Sequence, residues 1–296
     1  MMDNKLTITV FGGSGFIGSH VSDQLSMSGH NVRIYDFKKS SWIRDDQEII
    51  IGDLLDAEAV NDAIKGSDVV YNFAAVSDMN YSLNQPLETM RVNVLGNANV
   101  LEGCKLNKIK RFIYASTVYV NSREGSFYRI SKQTSEQLVV EYQRLYGIEY
   151  TILRYGSVYG PRSDEHNGLF RIVSNALKTG VVSYEGHPES LREYIHVEDV
   201  ARASVVVLEE EFCNENVVLT GQEGMRVYDM LKMLAEIMGL PENIEFIESS
   251  NKEHYVRSPY SYEYRIGRKY SPPLHVDLGQ GLVQLLNEVQ TKMQKA

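Results

Sequence analysis

Cysteine is nearly missing from this chain. Cys104 and Cys213 stand far apart and without CxxC spacing, which argues against a disulfide framework or a metal site and leaves two reduced thiols with packing roles. Long hydrophobic runs are missing too. No apolar stretch reaches the roughly 18 residues that a membrane span needs, and Met1-Met2-Asp3-Asn4-Lys5 leads straight into a strand pattern without signal-peptide features. The expectation is a cytoplasmic protein with no membrane partner. Positive charge is in deficit: the formal net charge is −9, which argues against a nucleic-acid binder and requires any anionic ligand to find a local cluster of Arg or Lys. There is no internal repeat and no low-complexity segment. What remains is 296 residues, 43% hydrophobic and 23% charged, an ordinary globular composition long enough for one large domain or two closely joined ones.

The chain is organised around Phe11-Gly12-Gly13-Ser14-Gly15-Phe16-Ile17-Gly18. A β-branched run at 6–10 precedes it, and a helix pattern with Ile17, Val21 and Leu25 on one face follows. In a strand–turn–helix setting Gly12 allows the tight turn, Gly15 lets a pyrophosphate approach the backbone, and Gly18 lets the helix pack close. The free N–H groups of the helix start, at Phe16 and Ile17, face the anion. A dinucleotide is expected here. A second strand at 31–35 ends in Asp36, placed to bond the adenosine ribose hydroxyls and to repel a 2′-phosphate, which favours NAD over NADP. Lys38 and Lys39 read as a solvated turn.

A third strand at 49–51 runs into Gly52-Asp53-Leu54, where Asp53 either accepts from the adenine amino group or serves as a turn or N-cap residue. A fourth strand at 68–75 ends in Phe73-Ala74-Ala75, small enough for a backbone to run against a cofactor. Apolar periodicity predicts helices over 86–106 and from about 128 to 146, with strands at 111–117 and 150–155. Alternation of this kind implies an α/β fold, a Rossmann-type doubly wound parallel sheet. After Gly160-Pro161 the rhythm changes. Helices at 169–177 and 227–237, a loop at 185–189, and pieces at 205–208 and 217–219 that return to the main sheet suggest a smaller interleaved α/β lobe. The expected division is an NAD-binding domain over 1–160, with returning segments near 193–221, and a discontinuous substrate-binding lobe over 161–296, with a ligand cleft between them. A Tyr-, Arg- and Pro-rich tail at 255–275 and a last helix at 281–293 complete the chain.

Tyr128-Arg129-Ile130-Ser131-Lys132 places a phenol and an ammonium one helical turn apart on one face. A nearby ammonium is expected to lower the phenol from its usual value of about 10, making it a usable general base. Ser116 and Thr117, at a strand end just before, are placed to bind a substrate hydroxyl or carbonyl. At these residues the sequence resembles the extended short-chain dehydrogenase/reductase family, in particular its nucleotide-sugar epimerases and dehydratases. The likeness extends through Asn93-Val94-Leu95-Gly96, Leu153-Arg154-Tyr155-Gly156-Ser157-Val158-Tyr159-Gly160-Pro161-Arg162 and the segment from Arg192-Glu193-Tyr194 to Ala201.

The resemblance implies that Tyr128 removes a sugar hydroxyl proton while a hydride passes to NAD. It implies that Lys132 holds the nicotinamide ribose and tunes the tyrosine, and that Thr117 or Ser116, with Thr117 preferred, binds the reacting oxygen. Phe73, Ala74, Ala75, Asn93, Tyr155 and Val158 join the implied cofactor contacts, with Asn93 bracing the site. Arg192 matches the usual contact to the nucleotide diphosphate, and Ser157 borders the sugar pocket where Asn is common. Arg162, Arg257, Arg265 and Arg268 are further candidates for an anionic group, whereas Arg154 and His196 read as structural. Val118-Tyr119 follow the strand-end hydroxyl where 4,6-dehydratases carry Asp-Glu, so dehydration is disfavoured. The implied activity is an NAD-dependent nucleotide-sugar epimerase. A 4-keto nucleotide-sugar reductase using NAD(P)H is one alternative. A non-catalytic dinucleotide sensor is another, against which the intact Tyr128 and Lys132 argue. The helices at 86–106 and 128–146 imply a homodimer, with Leu138, Tyr142 and Leu145 either at that interface or in the core. Glycan precursor synthesis is the expected setting.

Overall fold

The computed structural model describes residues 5–241 and 244–247. Its strands are β1 (Thr7–Phe11), β2 (Asn31–Asp36), β3 (Gln47–Ile51), β4 (Val69–Asn72), β5 (Arg111–Thr117), β6 (Glu149–Tyr155), β7 (Ser157–Tyr159), β8 (Val182–Glu185), β9 (Leu191–Arg192), β10 (Tyr194–His196), β11 (Glu215–Leu219), β12 (Met225–Arg226) and β13 (Ile244–Ile247). Its helices are α1 (Phe16–Met27), α2 (Ala57–Ile64), α3 (Met79–Asn84), α4 (Pro86–Met90), α5 (Asn97–Leu106), α6 (Ser126–Tyr146), α7 (Gly168–Thr179), α8 (Val197–Val206) and α9 (Val227–Met238).

Seven strands form one parallel sheet in the order β11-β6-β5-β4-β1-β2-β3. The order reverses beside β1, which opens a crevice at the carboxyl ends of β1 and β4. Both faces of the sheet are covered, and the period of two along each strand divides the core. Phe11, Phe112, Tyr114 and Ile152 pack with α2, α5 and α6 on one face. Ile8, Val10, Ile113, Ala115 and Leu153 pack with α1 and α8 on the other. Full burial of a side chain such as Leu25 in α1 is worth about 1.5–3 kcal/mol, so the two layers hold the crevice from both sides. A third core, built on Ile172, Val182, Val227, Met230 and Leu231, joins α7, β8 and α9. The short ladders β10–β7, β12–β9 and β13–β8 lie outside the large sheet.

The β1–α1 turn shows why glycine stands where it does. Gly12 has φ +75°, and a Cβ there would sit 2.5 Å from the Ala74 nitrogen. A Cβ on Gly18 would meet the Gly12 carbonyl oxygen at 2.2 Å. Strand, helix and the loop after β4 therefore touch backbone to backbone.

Three expectations need correction. Residues 205–208 do not return to the sheet: Val205 and Val206 end α8, and Val205, Val207 and Leu208 pack against the α1-side core. The segment that does return is β11, parallel to β6 with Val217 opposite Leu153. The fourth strand stops at Asn72, because the side chain of Asn72 turns back to accept from Ala74 N. The helical run at 86–106 is interrupted by a π-helical turn, Arg91–Gly96, a feature that often marks functional sites. The tail at 255–275 and the helix at 281–293 lie outside the described residues. Among the described residues no helix is long and apolar enough to cross a membrane, and no group of three His, Cys, Asp or Glu is set to hold a metal ion.

Candidate active site

At the cofactor end, backbone amides and one carboxylate do the shaping. Gly12 N donates to Tyr35 O (2.9 Å) and Gly15 N to Gly12 O (3.1 Å), closing the turn. The helix α1 starts at Gly15 with no side-chain cap, so its first-turn amides at Phe16 and Ile17 are open to an anion. Asp36, buried at the end of β2, accepts from Ser14 N (3.0 Å) and Lys38 N (3.3 Å). Burial raises its carboxyl, and those backbone donors oppose the rise. Asp53 is engaged in a turn, its Oδ1 accepting from Leu55 N at 2.9 Å, while Asp56 caps α2 through Ala59 N. Leu54 is buried against Gly96. The close-packed glycine cradle, the uncapped helix start and the buried carboxylate fit NAD.

Asn93 ties the two ends of the crevice together. Its Oδ1 accepts from Val76 N (2.7 Å), and its Nδ2 donates to Val76 O and to Ser131 Oγ, both at 2.9 Å. Ser131 Oγ in turn donates to Tyr128 O (2.7 Å), and Ser135 Oγ donates to Asn93 O (2.9 Å). The π-helical turn thus clamps the loop after β4 to α6. Phe73 stacks between Tyr71 and Tyr155, and Phe73 and Val158 are partly buried against the α1-side core. The Tyr155 hydroxyl is buried and hydrogen-bonded to Ser204 Oγ (2.8 Å). Ala74 and Ala75 are partly exposed beside the glycine turn.

At the other end, β5 delivers Ser116 and Thr117, and α6 delivers a polar stripe through Tyr128, Lys132 and Glu136. The Thr117 side chain stands near enough to the Tyr128 phenol to favour its ionised form, and Thr117 Oγ1 accepts from Tyr119 N (3.3 Å). Lys132 Nζ donates to Ala115 O (2.8 Å) and lies 6.0 Å from the centre of the Tyr128 ring. Ser116 instead donates to Glu136 Oε1 (2.6 Å), and Arg154 pairs with the same carboxylate through Nε (3.0 Å) and Nη2 (2.7 Å). The two adjacent hydroxyls therefore diverge, Thr117 towards Tyr128 and Ser116 into a buried ion-pair network.

The expected lowering of the phenol is reversed in this structure. Packing around Tyr128 pushes it up to about 12, with the nearby Thr117 side chain opposing. Lys132 is pushed down to about 7 by burial, with Glu136 opposing. At 6.0 Å from the ring the ammonium does not offset the loss of water around the phenol.

The remaining candidates are dispersed. Ser157 opens β7 opposite Tyr194. Arg192 is buried in β9, its Nη1 donating to Leu191 O (2.8 Å). Arg162 pairs with Asp23 (2.6 Å) and does not stand free for a diphosphate. His196 caps α8, its Nδ1 accepting from Glu198 N (3.4 Å). Arg257, Arg265 and Arg268 lie outside the described residues. Cys104 is buried, and burial raises its thiol. Leu138 and Tyr142 pack against the core while Leu145 stays exposed. Sequence reading missed Ser131, Ser135 and Glu136. Their signal is the spacing from Tyr128 of three, seven and eight residues, a polar stripe along the face that α6 buries.

Comparison with known proteins agrees with this geometry. The model of the NAD dependent epimerase/dehydratase family matches residues 8–219. A relative from Methanocaldococcus jannaschii, provisionally named a UDP-glucose 4-epimerase, is 32% identical over 251 residues, covering 76% of this chain and 81% of its own. Some longer relatives are matched over only 41% of their length. The Thermotoga maritima UDP-glucose 4-epimerase solved with UDP-glucose superposes with TM-score 0.79 at 27% identity, over 84% of this chain and 87% of that one. The Thermus thermophilus UDP-glucose 4-epimerase solved with NAD gives 0.76 at 26% identity, over 89% and 95%. With a glycine cradle and carboxylate that fit NAD and a Tyr–Lys pair at the adjacent strand end, this chain belongs to the NAD dependent epimerase/dehydratase family, as an NAD-using enzyme of the extended short-chain dehydrogenase/reductase type.

Proposed function

We propose that this enzyme is a nucleotide-sugar 4-epimerase whose first substrates to test are UDP-glucose and UDP-galactose. The observation that carries the reading is the placement of Thr117 beside the Tyr128 phenol, with Lys132 buried one turn along the same helix. Bound NAD supplies the reversible removal of hydride from a ring carbon. Thr117 holds the reacting sugar oxygen beside Tyr128. Tyr128 acts from its phenolate form, taking the hydroxyl proton and later returning it; burial disfavours that form here, so its own proton must leave on ligand binding before the cycle starts. Asn93 and Ser131 brace the turn of α6 that carries Tyr128. Val118-Tyr119 supply no acid–base pair after Thr117, which speaks for epimerisation over dehydration. The substrate class is supported by likeness to the Thermotoga maritima enzyme, which was solved with UDP-glucose.

Exposed Leu87, Leu95, Leu145 and Tyr146 on α4, the π-helical turn and α6 support a homodimer formed through these helices, working in the cytoplasm on glycan precursors. The test is incubation with a panel of UDP-hexoses, combined with assay of the cofactor released on denaturation. Interconversion of one C4 pair without net redox, and near-stoichiometric NAD(H) in the protein, are expected. Net consumption of NADPH or NADH with a 4-keto sugar overturns the epimerase reading in favour of a reductase.

A further inference from the structure

The segment 160–167 leaves β7 and enters α7, whose N-cap is Asn167. It is fastened at two places that lie on opposite faces of the sheet. At the first, His20 Nε2 is hydrogen-bonded to Pro161 O (3.0 Å), Arg162 Nη2 donates to Asp23 Oδ2 (2.6 Å), and the Arg162 guanidinium lies 5.0 Å from the centre of the Trp42 ring. His20 and Asp23 belong to α1, which packs on α8; Trp42 comes from the loop between β2 and β3. At the second, His166 Nδ1 pairs with Asp78 Oδ2 (3.3 Å), and Asp78 is the N-cap of α3, which packs on α6. The anchors lie on α1 and at the start of α3, the helices that follow β1 and β4, whose carboxyl ends border the crevice where a ligand of such a sheet lies.

The segment has the features of a part that moves as a unit. Ser163 Oγ donates to Gly160 O (2.8 Å), His166 N to Asp164 Oδ1 (3.0 Å) and Asn167 Nδ2 to Val158 O (2.9 Å), so it is stiff within. Asp164, Glu165 and His166 are exposed, which leaves little core contact to break. Gly160, with φ +139°, begins it, and Arg162 is held at φ +67°, a conformation that a long side chain adopts only under constraint. Arg162 Nη1 is buried with no hydrogen-bond partner, so the anchor is incompletely satisfied. Beside it lies a cavity of about 470 Å³ lined by His20, Asp23, Met27, Trp42, Glu198 and Arg202, room into which Arg162 and Trp42 can turn.

We propose that residues 160–167 are a strap that retains NAD in the crevice, and that cofactor release requires the Arg162 and His166 anchors to open. The proposal rests on the cofactor site at the β1–α1 turn. It links cofactor retention to the substrate lobe, because the strap continues directly into α7. An epimerase needs such retention, since the hydride must return to the same sugar.

Trp42 is the single tryptophan of the chain, so its emission reports on the Arg162 anchor without labelling. The experiment loads the full-length protein with NAD and follows release into excess competing nucleotide by stopped flow, reading Trp42 emission and displaced NAD together. In the parent, a Trp42 phase at the rate of NAD release is expected. The double variant R162A/H166A is expected to release NAD at least tenfold faster and to bind it no slower, with the Trp42 phase accelerating in step with release. If that variant does not fold, D23N, which loosens only the ion pair, is expected to speed release about threefold. Release within twofold of the parent in the variants, or release with no change in Trp42 emission, overturns the strap and leaves the cofactor site standing. A parent that takes up no NAD overturns both.

Discussion

The two ends of the crevice are built on different principles. At β1–α1 the shape is made by backbone: Gly12 in a left-handed conformation, open amides at the start of α1, and one carboxylate, Asp36, bonded to two backbone N–H groups. At β5–α6 it is made by side chains that hold one another or the backbone, with Ser116 and Arg154 on Glu136, Lys132 on Ala115 O, and Thr117 beside Tyr128. A backbone site is local and tolerates little variation in the glycines. A side-chain site distributes its tolerance unevenly, so neighbouring residues of the same type have different worth.

The sharpest break of that comparison is Tyr128→Phe. Loss of the general base is expected to lower turnover by about 10²- to 10⁴-fold, with NAD content unchanged on denaturing assay. Equal loss of NAD would mean that the two ends are not separable. The next contrast lies within two residues of β5. Thr117→Val is expected to lower turnover roughly tenfold or more, whereas Ser116→Ala is expected to leave turnover within about threefold and to cost about 1 kcal/mol of stability in chemical denaturation. The reverse ranking would exchange their roles.

Lys132 provides a sharper test through pH. Its ammonium sits at about 7 in the fold against about 10.4 in an unfolded chain, so between these values the unfolded chain binds the proton more tightly. Stability from this group is therefore expected to rise as pH climbs from 7 towards 10. Relative to Lys132→Met, the cofactor-free parent should gain on the order of a few kcal/mol across that window, measured by urea unfolding at several pH values. A parallel pH profile for the two proteins would show that Lys132 is not destabilised by burial. At Asp36 the expected effect is on selectivity: Asp36→Ala should narrow the preference for NAD over NADP by roughly tenfold, read as a ratio of dissociation constants.

Much of the backbone end was legible from residues alone. Gly12, Gly15 and Gly18 lie within one short turn, and Asp36 ends the next strand, so spacing in sequence is spacing in space. The pair Tyr128 and Lys132 was legible for the same reason, since one helical turn separates them. Other features depended on packing that no local pattern records. Residues 205–208 read as a strand because they are apolar, yet they close α8 and cover the sheet instead. Arg162 read as a candidate for a diphosphate, yet Asp23, 139 residues earlier in the chain, takes its guanidinium. The direction of the Tyr128 shift was misread because a sequence shows which charges are close but not how much water packing removes.

The sequence by itself determined the alternation of strands and helices, the dinucleotide turn and the identity of the Tyr–Lys pair, because each is a matter of period or short-range spacing. Only the tertiary structure decided that Glu136 takes both the Ser116 hydroxyl and Arg154, and how the loop at 160–167 bridges α1 and α3. Those contacts join residues far apart in the chain, and their geometry follows from how the layers pack on the sheet.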